Sequence, residues 1–324
     1  METRILTTSK DDIKAAAGII RAGGLVAFPT ETVYGLGANA MNAAAVKRVY
    51  QVKGRPGDNP MIVHIARASD IGQLTPLLNQ TMITLIDNFW PGPLTLVVEK
   101  KPGVPGVTTG GLETVAVRMP DEAAALELIR ESGQPIAAPS ANLSGRPSPT
   151  KAAHVIDDLS GRVEAILAGG DCRVGIESTV LDVTAEVPVI LRPGVVTAED
   201  ISAALGSPVG HGGDESAPKS PGMKYKHYAP RASMTVIEGQ RGKVESEVAR
   251  IKELNEALGN RVGVMLFEER AFREAAHDFF ARLRELDDEG ADLILAGALS
   301  DTDGVGFAVM NRMLRSAGYN VVKV

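Results

Sequence analysis

Residues 25–37 read LVAFPTETVYGLG, and this stretch decides the fold class. The apolar run at 25–28 predicts a buried strand, which ends at Pro29 because proline cannot continue a strand ladder. A polar triplet at 30–32 follows the strand directly. Since open α/β sheets bind ligands where their strands end, we expect an α/β sheet with a binding site at this point.

Helices and short strands alternate on both sides of this stretch, which predicts an α/β sheet layer over residues 1–205. Residues 12–22 carry apolar side chains at helical spacing, and two glycines end that helix. The other helices expected in this part are 42–52, 79–89, 121–132 and 150–158, and the other strands are 61–65, 94–99, 114–118, 136–138, 164–168, 178–183 and 188–191.

Residues 206–222 read GSPVGHGGDESAPKSPG, a Gly/Pro/Ser-rich composition that predicts a linker. Beyond it strand and helix alternate in βαβαβαβ order, which predicts a small parallel sheet with right-handed crossovers. Its expected strands are 234–237, 262–267, 291–296 and 321–324, and its helices are 242–258, 271–286 and 305–317. We therefore expect a first domain at 1–205, a linker at 206–232 and a second domain at 233–324, as the length of 324 residues suggests.

The composition excludes several classes of function. A formal net charge of -6 and only 4% aromatic residues argue against a broad basic or stacking surface for nucleic acid. The single cysteine, Cys172, rules out an intramolecular disulfide and a cysteine-based zinc site. The N-terminus lacks the apolar core of a signal peptide, and no apolar run is long enough to span a bilayer. We expect a cytoplasmic protein.

Two readings compete for the segment that follows the first strand. Its hydroxyls and glycines suit a simple turn, and glycines also permit close backbone approach to a ligand. Residues 35–40, GLGANA, match the G-x-G-x-x-A dinucleotide fingerprint. The polar triplet separates those glycines from the strand, and Arg55 stands where an acidic residue should hold a ribose. The dinucleotide reading is therefore the weaker one.

Cations occur at two further strand boundaries. Lys53 and Arg55 lie in the loop KGRPGDNP at 53–60, which suits either phosphate binding or an exposed surface loop. Arg118 lies on the otherwise apolar strand 114–118. A buried arginine needs a partner, and this partner is either a ligand carboxylate or an internal carboxylate.

Small polar residues follow the next buried strand in the segment APSANLSGRPSPT at 138–150, and they offer hydroxyl, amide and backbone N–H groups to phosphate oxygens. Ser148 is equally suited to cap the following helix. Residues 177–179 and Arg192 add a hydroxyl pair and a cation at strand boundaries. There is no P-loop motif and no Ser-His-Asp, Cys-His or HExxH arrangement. The chemistry we expect is therefore positioning of bound substrates, with cations stabilising phosphate charge.

Eight motifs together resemble one enzyme family. PTETVYGLG, KGRPGDNPMIVHI, WPGPLTLV, TVAVRMP, APSANLSGRPSPT, ESTV, LRPG and SPGMKYKHYAP occur in the order typical of threonylcarbamoyl-AMP synthases, in the longer two-domain form of the YrdC-type enzymes. The resemblance covers essentially the whole chain. It implies an α/β fold with a twisted, open, mixed sheet around a basic cavity, a linker that ends in KYKHYAP, and a smaller Rossmann-like domain with a parallel sheet.

The resemblance also implies two groups of binding residues and a lid. The residues implied for L-threonine are Thr30, Thr32, His64, Arg118 and Ser178. The residues implied for ATP are Lys53, Arg55, Asn59, Thr114, Ser140, Ala141, Asn142, Ser148, Arg192, Tyr225 and Tyr228. Ala141 would act through its backbone N–H group, and Arg118 would face the threonine carboxylate. The linker residues Tyr225, His227 and Tyr228 would fold over the cavity.

The reaction implied by the resemblance joins L-threonine, bicarbonate and ATP into threonylcarbamoyl-AMP and pyrophosphate, with Mg²⁺ accompanying ATP. The product would pass to a tRNA threonylcarbamoyl-transferase complex for the t6A modification of tRNA. No membrane partner is expected, and direct tRNA binding stays open. Three alternatives remain: an RNA-binding module with a basic cavity, an NAD(P)-dependent enzyme, and carbamoyl transfer without adenylation. The last occurs in relatives with zinc-finger cysteine clusters, whereas this chain has only Cys172.

Overall fold

The computed structural model describes residues 1–212, 228–301 and 304–324. Its first part contains six α-helices: α1 (Lys10–Arg21), α2 (Ala43–Lys53), α3 (Gln80–Phe89), α4 (Ala123–Ser132), α5 (Ala152–Leu159) and α6 (Ala198–Leu205). The strands of this part are β1 (Arg4–Leu6), β2 (Val26–Phe28), β3 (Gly35–Asn39), β4 (Ile62–His64), β5 (Leu94–Glu99), β6 (Thr114–Arg118), β7 (Ile136–Ala137), β8 (Ala165–Leu167), β9 (Thr179–Asp182), β10 (Val189–Arg192) and β11 (Gly210–His211).

These strands form one mixed sheet in the order β1-β8-β2-β3-β7-β4-β6-β5-β9-β10-β11. The sheet contains parallel pairs such as β4 with β6 and antiparallel pairs such as β3 with β7. The prediction of an α/β fold with a mixed sheet is confirmed. Because neighbouring strands run in both directions, functional side chains do not have to gather at one carboxyl edge. They can instead share a face of the sheet.

The glycines of the first motif lie in strand β3 and not in a ligand-binding loop, so the dinucleotide fingerprint reading was wrong. β3 pairs antiparallel with β2, and Gly35 lies opposite Phe28. A Cβ atom on Gly37 would come within 2.8 Å of both the Phe28 ring and the side chain of Ile136. Gly37 is therefore required by packing of the strands. Sequence periodicity also missed β1, β11 and α6, which are short elements.

The second part of the chain confirms the predicted parallel sheet. Its strands are β12 (Ser233–Glu238), β13 (Val262–Met265), β14 (Leu293–Gly297) and β15 (Val321–Lys323), and its helices are α7 (Arg241–Ala257), α8 (Phe272–Asp288) and α9 (Val305–Ser316). The strand order is β13-β14-β12-β15, and all pairs are parallel. β11 lies inside the predicted linker and pairs with β10. Tyr225 and His227 lie outside the described residues.

The two parts share a hydrophobic core. Val33 and Ile176 of the first part belong to the same buried cluster as Phe279 and Phe280 of α8. A buried ion pair also crosses the boundary, since Arg284 of α8 lies 2.7 Å from Asp158 of α5. The second part is therefore packed firmly against the first. No helix among the residues described is long and apolar enough to cross a membrane.

We predict that Gly37→Ala lowers the free energy of unfolding by about 1–3 kcal/mol, because the new methyl group overpacks against Phe28 and Ile136. The matched control is Gly57→Ala, since nothing lies within 4 Å of a Cβ atom at Gly57. The control should change stability by less than about 0.5 kcal/mol. Urea unfolding of the three proteins measures both values, and equal stabilities for the two variants would contradict this packing argument.

Candidate active site

A cavity lies on one face of the large sheet. Ile62 and His64 are two residues apart on β4, so their side chains share that face. Arg118 of β6 is in register with His64 on the neighbouring parallel strand, and it lines the same cavity. The cavity volume is about 60 Å³. Ligand pockets usually measure about 300–1,000 Å³, so this cavity is a small one.

The five residues implied for L-threonine all line this cavity. They are Thr30, Thr32, His64, Arg118 and Ser178. Each is buried, with an exposed fraction of at most 4%. The Thr30 hydroxyl donates to the carbonyl oxygen of Val33 and lies 2.9 Å from the Thr32 hydroxyl, which fixes the turn after β2. Segments that are far apart in sequence therefore converge on one polar pocket.

Arg118 is held by protein oxygens on three sides. Its Nε donates to the carbonyl oxygen of Gly92 at 3.1 Å, and its Nη1 donates to the Thr32 hydroxyl at 2.9 Å. Its Nη2 lies 2.6 Å from Oε2 of the buried Glu31, in an ion pair. The internal carboxylate that the sequence left open is thus present. A guanidinium has five N–H donors, so Arg118 retains donors for a ligand carboxylate as well.

His64 faces the cavity as a neutral imidazole. Burial, together with the neighbouring Arg118, lowers the pKa of His64 to about 3. The Phe28 ring packs edge-on against it, with centroids 6.1 Å apart. At neutral pH this side chain therefore adds polarity but no positive charge beside Arg118.

The residues implied for ATP divide into two groups. Those that line the cavity are Arg55, Ser140, Asn142, Arg192 and Tyr228. Those outside its lining are Lys53, Asn59, Thr114, Ala141 and Ser148. Tyr225 belongs to the part of the chain that the structure does not describe. The lining group brings the cation loop, the segment after β7, the end of β10 and the end of the linker to the same wall.

Arg55 and Arg192 provide the positive charge of this wall. Arg55 donates to the carbonyl oxygens of Asn59 and Pro60 at 3.3 and 3.0 Å. Arg192 donates from Nε and Nη2 to the carbonyl oxygen of Ser178 at 3.1 and 3.0 Å. Burial lowers the pKa of Arg55 to about 10 and also lowers the pKa of Arg192, yet a guanidinium stays protonated at neutral pH. Backbone carbonyl oxygens thus orient both guanidinium groups.

Lys53 lies outside the cavity lining and contacts the segment after β7, which forms part of that lining. Its ammonium group donates to the carbonyl oxygens of Ser140 and Asn142, and to the Asn142 Oδ1 at 3.3 Å. Burial lowers the pKa of Lys53, whereas oxygen acceptors favour its charged form. The lysine that sequence reasoning placed against phosphates therefore shapes the segment after β7.

The structure also shows where the other four members of the outer group lie. The Ala141 N–H donates to the carbonyl oxygen of Tyr34 at 2.8 Å, so the expectation of a ligand-facing N–H at this position was wrong. Thr114 begins β6, about 13 Å along the strand from Arg118. The Ser148 hydroxyl donates to Oε1 of Glu177 at 2.6 Å. Asn59 is buried outside the lining, next to the Arg55 contact at its own carbonyl.

Sequence reasoning missed two buried carboxylates, Glu31 and Glu177. Both stand in motifs from which only the hydroxyl neighbours were selected. Glu177 lines the cavity with an exposed fraction of 7%. Burial favours its neutral form, but Arg312, Arg192 and the Ser148 hydroxyl hold the pKa of Glu177 below its ordinary value. The available signal was an acidic residue directly beside hydroxyl residues at a strand boundary: Glu31 lies between Thr30 and Thr32, and Glu177 precedes Ser178.

The fold and the site together define a class: a two-part α/β protein with an enclosed, cationic cavity for small anionic ligands. Residues 18–194 match the Sua5_yciO_yrdC family profile, which is described as telomere recombination. Residues 196–318 match the profile described as threonylcarbamoyl-AMP synthase, C-terminal domain. Since the first profile covers more than half of the chain, the chain belongs to the Sua5/YciO/YrdC family.

Curated relatives and a solved structure resemble nearly the whole chain. A threonylcarbamoyl-AMP synthase of Pyrococcus abyssi is 47% identical over 326 residues, which cover 96% of each chain. That of Bacillus subtilis is 47% identical over 340 residues, covering 98% of this chain and 96% of the relative. The structure of P. abyssi Sua5 complexed with L-threonine has a TM-score of 0.93 and 46% identity, covering 100% and 99% of the two chains. The resemblance seen in the sequence motifs is confirmed.

We predict that His64 makes the protein less stable in acid. Its pKa rises from about 3 in the folded state to about 6.5 on unfolding. Unfolding therefore takes up a proton below pH 6.5 or so, and the stability present above that pH is lost as the pH falls towards the folded-state pKa. Between about pH 7 and pH 5 the loss from this residue is about 2 kcal/mol.

His64→Gln should remove this part of the pH dependence. Urea unfolding of the wild type and the variant at the two pH values measures the difference, and the same substitution at exposed His211 is the control. If the His64 variant lost stability between these pH values as steeply as the wild type, the imidazole would not be buried in its neutral form.

Proposed function

We propose that this chain catalyses the synthesis of threonylcarbamoyl-AMP and pyrophosphate from L-threonine, bicarbonate and ATP, and that the cavity is its active site. One observation carries the proposal. Three arginines, Arg55, Arg118 and Arg192, line one cavity together with the hydroxyl groups of the residues implied for threonine. Several cations beside hydroxyl groups suit a site that binds both the carboxylate of an amino acid and the phosphates of a nucleotide.

In this reaction the amine of L-threonine attacks the carbon of bicarbonate, and water leaves to give a carbamate. A carbamate oxygen then attacks the α-phosphorus of ATP, and pyrophosphate leaves. Arg118 would hold the threonine carboxylate with its remaining N–H donors. His64 is neutral and therefore adds no charge to the cavity. Arg55 and Arg192 would offset the negative charge that builds up on the phosphates.

Exclusion of water is the second requirement, because carbamates decompose readily in water. Tyr228, at the end of the predicted lid, lines the cavity and is buried to an exposed fraction of 6%. Its φ of 66° lies in the left-handed region that only glycine adopts easily. Such a conformation persists where the surrounding structure holds it, and this supports a role for the lid in closing the site.

Magnesium would enter with ATP and not in a site of the protein's own. Among the described residues no group of three or more His, Cys, Asp or Glu side chains is placed to hold a metal ion. Of the lining residues that the structure describes, Glu177 is the one that is acidic, and it already contacts Ser148 and Arg312. The donor set therefore fits an ion held mainly by phosphate oxygens and water, and that ion would neutralise charge on the triphosphate.

The wider role follows from the product. A threonylcarbamoyl-adenylate is an activated acyl donor, and we propose that a tRNA threonylcarbamoyl-transferase complex consumes it in the t6A modification of tRNA. We also propose that the protein works in the cytoplasm. Whether this chain itself touches tRNA is a separate question, which a filter-binding assay with and without ATP addresses.

We predict that pyrophosphate release from ATP requires both other substrates. Omitting L-threonine or bicarbonate should each reduce release to the background rate, because the nucleophile that attacks the α-phosphorus contains atoms from both. A coupled pyrophosphatase assay measures this directly, with L-serine as a matched control that lacks only the methyl group. Release that persists without threonine would mean simple ATP hydrolysis and would contradict the proposed reaction.

We further predict that Arg118→Ala weakens L-threonine binding by about tenfold or more, since a charge-assisted contact to a carboxylate is lost. ATP binding should change much less. Arg55→Ala should show the reverse pattern, and isothermal titration calorimetry with each ligand measures all four affinities. Because Arg118→Ala leaves Glu31 buried without its cation, the variant Arg118→Ala/Glu31→Gln is measured alongside. Equal losses for both ligands in the double variant would mean that Arg118 does not serve threonine.

A further inference from the structure

Arg312 crosses from the second part of the chain into the wall of the cavity. It lies on α9 and is completely buried, with an exposed fraction of 0%. Its Nε lies 3.2 Å from Oε2 of Glu177, and its Nη2 donates to the Glu177 carbonyl oxygen at 3.4 Å. Its Nη1 donates to the carbonyl oxygen of Pro193. One guanidinium therefore joins two segments of the site that are separate in sequence.

Both segments that Arg312 contacts adjoin residues of the cavity lining. Glu177 lines the cavity itself and is followed by Ser178, while Pro193 follows Arg192. The other carboxylate oxygen of Glu177 accepts the Ser148 hydroxyl at 2.6 Å. Arg312 thus fixes the orientation of the Glu177 carboxylate. This carboxylate in turn accepts the Ser148 hydroxyl and faces Arg192.

Arg312 itself is not part of the described cavity lining, and neither is any other described residue of 233–324. It has no direct route to a substrate, and any effect it has on the reaction must pass through Glu177 and the turn at Pro193. A fully buried ion pair is costly to form and strongly destabilising to break, because the remaining charge is left without a partner. The pair is therefore a rigid element of the site and not a passing surface contact.

We propose that Arg312 is a positioning residue for this active site: it holds the Glu177 carboxylate and the turn that carries Arg192 in the arrangement that binds ATP. This inference rests on the function proposed above. It assigns the second part of the chain an indirect role in ATP binding, distinct from support of the linker.

The charges around Glu177 set the sign of the expected pH effect. The groups that face it are Arg312 of α9, Arg192 of β10, the Ser148 hydroxyl and the Tyr228 phenol. Burial raises the pKa of Glu177, and the two arginines and Ser148 more than offset this. Without Arg312 the effect of burial prevails, so Glu177 takes up a proton at a higher pH than in the wild type. Activity that needs the carboxylate is then lost from the acid side.

The test compares the pH dependence of pyrophosphate release for the wild type, Arg312→Met and Arg312→Lys. For the Met variant we expect kcat/KM for ATP to fall by about tenfold or more, and the acid limb to move up by about one pH unit or more. The Lys variant keeps the positive charge but lacks the paired N–H donors of a guanidinium. It should therefore lose activity, while the acid limb of its pH profile stays near the wild-type position. Adding Glu177→Gln to Arg312→Met should abolish the limb, because no carboxyl group remains to titrate.

Arg284→Met is the matched control. Arg284 is also a buried arginine of the second part that pairs with a carboxylate of the first, but it contacts Asp158 and the Pro147 carbonyl oxygen and not the cavity carboxylate. This variant should lower the melting temperature to a similar extent and leave the acid limb in place. A limb shift in Arg284→Met equal to that in Arg312→Met, or a loss of activity in Arg312→Met at all pH values without a shift, would overturn the proposal.

ATP affinity measured by calorimetry over the same pH range provides a readout that does not depend on turnover. If the wild type binds ATP but releases no pyrophosphate, the proposed function fails while the inference about Arg312 is still tested by the pH dependence of binding. If Arg312→Met does not fold, Arg312→Lys decides: ATP binding with wild-type strength and wild-type pH dependence in that variant would overturn the inference, because the fork of contacts would then be dispensable.

Discussion

The site depends on keeping positive charges ionised in a place from which water is largely excluded. Removing an ion from water costs several kcal/mol, and only well-placed oxygens recover that cost. Arg118 finds them in Glu31 and two neighbouring groups, and Lys53 finds them in two backbone carbonyls. Arg192 uses the Ser178 carbonyl in the same way. Because these oxygens belong to loops, the cations determine the conformation of the loops, and the pocket is largely formed before any ligand binds.

This constraint also explains why the two parts of the chain form one structure. A shared apolar cluster brings α8 and α9 against the first part, and two buried arginines, Arg284 and Arg312, cross the boundary to carboxylates. Apolar packing alone would tolerate small shifts of one part against the other. A buried ion pair does not, because a shift of an ångström or so would leave two charges unsatisfied. The ion pair of Arg312 with Glu177 therefore fixes the boundary between the two parts at a residue that lines the cavity.

Much of this arrangement was accessible from the sequence, and the failures share one cause. Strand and helix periodicity predicted the α/β sheet layer and the parallel sheet, since those signals are local, and the family resemblance implied the mixed sheet. The roles of Ala141 and Glu177 were not visible, because they depend on partners at Tyr34 and on α9. One clue existed: Arg312 falls on the buried face of α9, among apolar residues at helical spacing. A charge on an apolar stripe indicates a buried partner, although sequence spacing does not reveal which one.

The cations of the cavity differ in how they are paired. Arg118 forms an ion pair with Glu31, so this pair adds little net charge and suits a ligand with one carboxylate and one amine. Glu177 faces Arg192, and these two charges alone would nearly cancel. Arg312, which lies outside the cavity lining, forms an ion pair with the same carboxylate. Two arginines and one glutamate leave that cluster positive, and together with Arg55 they give the wall the charge that a triphosphate requires.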